Sequence, residues 1–169
     1  MAEDIYVIDT SSLIEIKPEH YPFDIYITMW RNLENLIRNG RLISHEKVLD
    51  ELKEYQGKKD KLLEWAYNHK TMFKPTTPQQ IEIVRNKILV VDNFRALIDY
   101  SKPTGDTDVF IIALALEKQK TLFKTLSKKI VVTQEQIKGN KIKIPFVCKY
   151  FKIECINVFE MFRREGWKW

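Results

Sequence analysis

The chain has few of the residues that staple or cross-link small proteins. Its 169 residues include two cysteines, Cys148 and Cys155, with no Cys-x-x-Cys pair and no His-rich neighbourhood. That excludes a disulfide framework and a zinc-finger pattern, and leaves two small buried thiols in a reducing compartment as the expectation. His20, His45 and His69 are scattered, so each is expected on the surface or in a structural role. Five Gly and six Pro are too few for long flexible linkers, and no internal repeat is present. No apolar run approaches the roughly 20 residues of a membrane span. The first residues carry Glu3 and Asp4 in place of a basic segment, so no secretory signal is expected and the cytoplasm is the expected location. A single domain over residues 1–169 fits this length.

Arginine is missing from one stretch where charge is concentrated. From Lys118 to Lys152 the chain has ten lysines and one acid, Glu135, while the whole chain carries a net charge of only +5. Such a concentrated basic region suits a polyanion such as nucleic acid, and Lys128, Lys129, Lys138, Lys141 and Lys143 are its candidate contacts. Lysine binds phosphate as a point charge and lacks arginine's bidentate fork. The same pattern also suits a merely solvated face.

What the chain does have is an alternation of short β-branched runs with helical periodicity. Ile5-Tyr6-Val7-Ile8 runs into Asp9-Thr10-Ser11-Ser12, which predicts a buried strand stopped by turn formers. Residues 24–39 carry Met29, Trp30, Leu33, Leu36 and Ile37 on one helical face. Arg41–Ser44 reads as a second strand, and His45–Tyr55 as a helix with Val48, Leu49 and Leu52 inward. Gly57-Lys58-Lys59 is a break before helical residues 60–73. Thr77-Pro78-Gln79-Gln80 is a helix start with a capping-box pattern. The face Ile81, Val84, Ile88, Val91, Phe94 and Ile98 predicts that this helix continues, and argues against a strand at Ile88–Val91. After the loop Lys102–Gly105, Val109–Leu116 reads as a buried helix with Asp106 and Asp108 at its positive end. Ile130–Thr133 reads as a third strand, Gly139-Asn140 as a turn, Pro145–Phe151 as a helix, Ile153–Val158 as a last strand and Phe159–Glu165 as a closing helix. The pattern predicts a three-layer α/β sandwich around a parallel sheet of about four to five strands. One of the tryptophans in Gly166-Trp167-Lys168-Trp169 is expected to cover a core edge.

In such folds ligands bind beyond the carboxyl ends of the strands, so acids falling there are informative. Asp9 follows the first strand, and Glu51 lies seven residues beyond Ser44 in the helix after the second. Asp106 and Asp108 open the buried helix, and Glu135 lies two residues beyond Thr133. Each has a plain structural reading, as a helix cap or a solvated acid. Together they would crowd like charges, which is costly without a cation, and oxygen donors suit Mg²⁺ or Mn²⁺. Such a site can activate water for phosphodiester hydrolysis.

The segments around these acids resemble the PIN-domain ribonucleases. "YVIDTSSLI" is similar to that family's first strand with its metal-binding Asp, here Asp9. "LISHEKVLDEL" resembles the second strand and the helix bearing the second acid, here Glu51. "DTDVFIIALAL" resembles the third motif, an Asp five residues before the first Ala of Ala-x-Ala, which selects Asp108 and leaves Asp106 accessory. "IVVTQE" resembles the fourth motif, with Glu135 where Asp or Asn is more usual, a departure that bears on a second metal site. The Lys-rich segment 118–129 makes the connection to the third strand longer than in the minimal toxins of that family. The C-terminal "KIKIPFVCKYFKIECINVFEMFRREGW" is similar to one uncharacterised PIN-like family of prokaryotes. The resemblance covers essentially the whole chain.

It implies a PIN fold and a Mg²⁺- or Mn²⁺-dependent endoribonuclease acting on single-stranded RNA. Asp9, Asp108, Glu51 and Glu135 would serve as catalytic and metal-binding residues, with Ser11 and Thr133 orienting carboxylates or waters. It further implies RNA as partner, and in the toxin members an antitoxin protein and a homodimer. Two other readings stay open. One is a PIN-like module that binds RNA or protein without cutting it. The other is a phosphatase or phosphotransferase with Asp9 as nucleophile, disfavoured because the second Asp such enzymes usually carry two positions on is here Ser11.

Overall fold

The computed structural model describes residues 3–56, 60–119 and 127–169. Five parallel strands form one sheet: β1 (Ile5–Ile8), β2 (Leu42–His45), β3 (Phe73–Lys74), β4 (Lys129–Val132) and β5 (Cys155–Ile156), in the order β3-β2-β1-β4-β5. Helices flank it as a three-layer α/β sandwich. Parallel strands need crossovers, and buried parallel strands are apolar throughout. Accordingly Tyr6, Val7 and Ile8 of β1 and Ile130, Val131 and Val132 of β4 are fully buried. β1 pairs with β4 over its whole length, from Ile5↔Lys129 to Ile8↔Val132, and with β2 through Tyr6↔Leu42 and Val7↔Ile43.

The helices are α1 (Thr10–Glu15), α2 (Ile27–Arg38), α3 (Glu46–Gln56), α4 (Lys61–Asn68), α5 (Pro78–Ile83), α6 (Thr107–Leu116), α7 (Ile144–Tyr150) and α8 (Val158–Arg164). From Val109 onward α6 is apolar on every side, as a helix enclosed by its neighbours must be. It packs on β1, β2 and β4 and against α3, α5 and α7. Its far end is held by Lys129, whose ammonium donates to the Leu114 and Glu117 carbonyls at 2.8 and 2.9 Å. At the same, amino end of the sheet, Arg41 forms a fork on Glu165, which also accepts from the Tyr6 hydroxyl.

Several boundaries differ from expectation for identifiable reasons. Residues 60–73 are not one helix: α4 stops at Asn68, where His69 turns the chain into a 3₁₀ turn (Lys70–Met72) and then the edge strand β3. The apolar face from Ile81 to Ile98 is likewise broken. After α5 the chain runs through a π turn (Val84–Ile88), and Asn93 enters the left-handed region at φ 71° before a 3₁₀ turn (Phe94–Leu97). The expected face is broken with it: Ile81 is exposed, Val91 and Ile98 are only half-buried, and Ile83, Val84, Ile88, Phe94 and Leu97 are the buried apolar residues. No strand forms at Ile88–Val91. Thr77 caps α5 by accepting from the Gln80 amide at 3.1 Å, but the Gln80 side chain turns to His45 and Glu117. His45 is fully buried in that structural network. The last strand is only two residues long. Trp167 stacks on Phe162 at the core edge, 5.1 Å between ring centres, while Trp169 is mostly exposed. Cys148 is buried, Cys155 is half-buried, and both are free thiols. The expected break at Gly57-Lys58-Lys59 lies outside the described residues, as do Lys120 and Lys124 of the basic window.

Candidate functional site

The chain crosses from β1 towards β2 and β3 on one side, then returns to place β4 and β5 on the other. The β1/β4 junction is therefore the point where the winding reverses, and a crevice opens beyond the strand ends there. A cavity of about 920 Å³ occupies that place, and Asp9, Glu51, Asp108 and Glu135 all line it. Four carboxylates drawn from widely separated parts of the chain meet in one crevice.

Asp9 sits directly after β1 and is 4% exposed. It is also the N-cap of α1, accepting from the Ser12 amide at 2.9 Å. Asp9 itself caps the helix, and the flanking hydroxyl residues serve its carboxylate. Ser11 Oγ lies 2.8 and 2.9 Å from its two oxygens, and Thr133 Oγ1 donates to it at 2.5 Å from the end of β4. Ser11 and Thr133 are themselves fixed, accepting from the Gln134 and Glu135 amides at 3.0 and 3.1 Å. The loop after β4 is thus tied to the loop after β1 through two hydroxyls. Burial pushes the Asp9 carboxyl up to about 6, against the opposing effect of these donors.

Glu51 projects from α3 and accepts from the Thr10 hydroxyl; burial raises its pKa. Asp108, in the first turn of α6, is pushed up to about 8, first by burial and then by the charges of Glu135, Asp9 and Glu51. Lys143 acts in the opposite direction. Glu135 accepts from the Ile144 amide at 3.1 Å, so it caps α7 from outside, and faces Lys143 at 3.7 Å. Like charges crowded into one crevice repel, and a nearby cation would offset that repulsion.

The other expected residues divide. Lys141 and Lys143 line the crevice. Lys128 and Lys129 do not: they stand at the amino end of β4, where Lys128 pairs with Glu154 and Lys129 caps α6. Lys138 is exposed and outside the lining. Asp106 also turns away and pairs with Lys47 at 3.0 Å. The charge count could not separate these lysines because it is blind to which end of a strand a residue occupies. Thr10, Tyr55 and Lys102 line the crevice without having been singled out. Thr10 adjoins Asp9, and Tyr55 is one helical turn beyond Glu51, so both were reachable from spacing. Lys102 lies in an aperiodic loop that carried no signal.

Donor type fits a hard divalent cation. Among the described residues no three His, Cys, Asp or Glu side chains are arranged to hold a metal ion. The charge of Asp9 acts on Asp108 across the crevice.

The fold and crevice define an α/β protein with a carboxylate site at its winding reversal. By sequence, the chain belongs to the family described as "Domain of unknown function (DUF4411)", whose model matches residues 6–169. No curated protein and no solved structure matches the chain.

Proposed function

We propose that the protein is a Mg²⁺- or Mn²⁺-dependent endoribonuclease of the PIN-like kind, hydrolysing phosphodiester bonds of single-stranded RNA. The observation that carries this reading is the meeting of Asp9, Glu51, Asp108 and Glu135 in one crevice with Lys102, Lys141 and Lys143 on its walls. Asp9 and Asp108 would hold the cation, with Glu51 and Glu135 completing the shell directly or through water. Such an ion lowers the pKa of a bound water and offsets charge developing on the phosphate. Ser11 and Thr133 keep Asp9 oriented, and Thr10 does the same for Glu51. The lysines draw the phosphate backbone in without reading bases.

The same reading carries a cytoplasmic location, RNA as partner, and the antitoxin protein and homodimer implied by the resemblance. Among the described residues no helix is long and apolar enough to cross a membrane. A nucleophilic role for Asp9 is disfavoured by its burial and by the donors on both of its oxygens. The second reading, a module that binds RNA or protein without cutting, is favoured by Glu135, which stands where Asp or Asn is more usual in the resembling family and is already engaged by the Ile144 amide and Lys143. Incubating purified protein with single-stranded RNA and Mn²⁺ or Mg²⁺ separates the two. The nuclease reading expects metal-dependent cutting that Asp9→Asn and Asp108→Asn abolish. RNA that is shifted on a gel yet never cut with either metal establishes the binding module instead.

A further inference from the structure

We propose that Tyr55 is the stacking platform for a nucleobase next to the phosphate held over the carboxylates, so that the crevice selects strands whose bases are unstacked. This deepens the nuclease reading and rests on it. Tyr55 follows Glu51 by four residues on α3, which places the two side chains on one helix face. It is the only aromatic residue among the described residues lining the crevice. Its side chain is 60% exposed.

Of the other exposed tyrosines, Tyr100 is 75% exposed in the loop between Asp99 and Lys102 but does not itself line the crevice. Tyr67 lies under the Lys53 ammonium and Tyr150 packs edge-on against Phe94 and Phe151. Among the described residues Tyr55 has neither an aromatic nor a cationic partner of that kind. Exposure of a single apolar side chain is ordinary on a protein surface. Position distinguishes Tyr55, since it adjoins Glu51 in a cavity that also holds Lys102, Lys141 and Lys143.

Phosphate, with charge, is drawn to the lysines and to a cation held by the acids. The base attached to it is flat and apolar on its faces, and the carboxylates offer it nothing. A tyrosine ring at the mouth accepts any base by its π face, which suits single strands. A duplex keeps its bases stacked inside and has none to present.

The test compares wild type, Tyr55→Ala and Tyr55→Phe. Binding of a short fluorescein-labelled single-stranded RNA is read by anisotropy in Ca²⁺, and cleavage in Mn²⁺ supplies KM and kcat. An otherwise identical RNA carrying abasic residues is the second ligand. Base–aromatic stacking predicts that Tyr55→Ala weakens binding about 5- to 100-fold, raises KM with little change in kcat, and leaves the melting temperature unchanged. Tyr55→Phe is expected to match wild type. Wild type is expected to lose a similar factor on abasic RNA, and Tyr55→Ala to lose nothing further. Tyr55→Ala binding within about twofold of a wild type that binds overturns the stacking role alone. A wild type that neither binds nor cuts overturns the nuclease reading, and this proposal with it.

Discussion

Replacing Asp108 by asparagine is expected to stabilise the protein while disabling its site. The Asp108 carboxyl rises from 3.8 to about 8 on folding, through burial and the charges of Glu135, Asp9 and Glu51. The folded state therefore binds this proton more tightly than the unfolded state, so between these values stability falls as pH rises. At roughly 1.4 kcal/mol per pH unit, the ceiling on the penalty above pH 8 is roughly 6 kcal/mol. Solvent reaches the half-buried side chain and Lys143 opposes the effect, so a working figure is about 2–3 kcal/mol. Asp108→Asn removes the penalty at every pH. Urea denaturation of both proteins without divalent metal is expected to show the variant ahead by about 2 kcal/mol near pH 8.5 and by under about 1 kcal/mol near pH 5. Asp9, pushed up to about 6, adds a dependence of the same sign at lower pH in both proteins. Millimolar Mn²⁺ is expected to stabilise wild type and leave the variant unmoved. A variant less stable than wild type at pH 8.5, or a difference that ignores pH, would refute the view of these carboxylates as a like-charge cluster awaiting a cation.

Asp9→Asn is expected to abolish cleavage at a stability cost within about 1 kcal/mol, because the amide oxygen can still accept from the Ser12 amide; a melt and an activity gel on one preparation check this. Gly105→Ala is expected to destabilise by at least about 2 kcal/mol and to slow cleavage. A Cβ there would lie 1.7 Å from the Asp99 carbonyl oxygen in a loop lining the crevice, so near-wild-type melting contradicts the close approach. Lys141→Ala with Lys143→Ala is expected to reduce the slope of log affinity against log salt by up to about 1.4 on single-stranded RNA, whereas Lys128→Ala leaves it unchanged. Equal effects from both would mean the two ends of the sheet are not electrostatically distinct.

Much of the fold was readable because the two periodicities separate cleanly in the long elements. The β1 run of Ile5–Ile8 and the apolar run Val109–Leu116 of α6 have few alternatives, and their alternation implies a parallel sheet. β3 was not readable: two residues, Phe73 and Lys74, carry no period, and their pairing with Ser44 and His45 exists only once the sheet is assembled. The long apolar face to Ile98 misled for the opposite reason. Apolar residues at every third or fourth position suit one continuous helix, yet a helix, a π turn and a 3₁₀ turn follow in succession and leave Ile81 exposed. For the site, the strand-end rule placed Asp9, Glu51, Asp108 and Glu135 in one crevice. It could not say that Asp106, two residues before Asp108, turns to Lys47, because that depends on the start of α3. The second duty of Asp9 as a helix cap and of Glu135 at α7 was hidden likewise.

A crystal soaked in Mn²⁺ and measured at the metal's anomalous edge tests the central claim most directly. The account predicts a peak at about 2.1 Å from carboxylate oxygens of both Asp9 and Asp108, with Glu51 or Glu135 bound directly or through water. Manganese bound elsewhere while this crevice stays empty would contradict it.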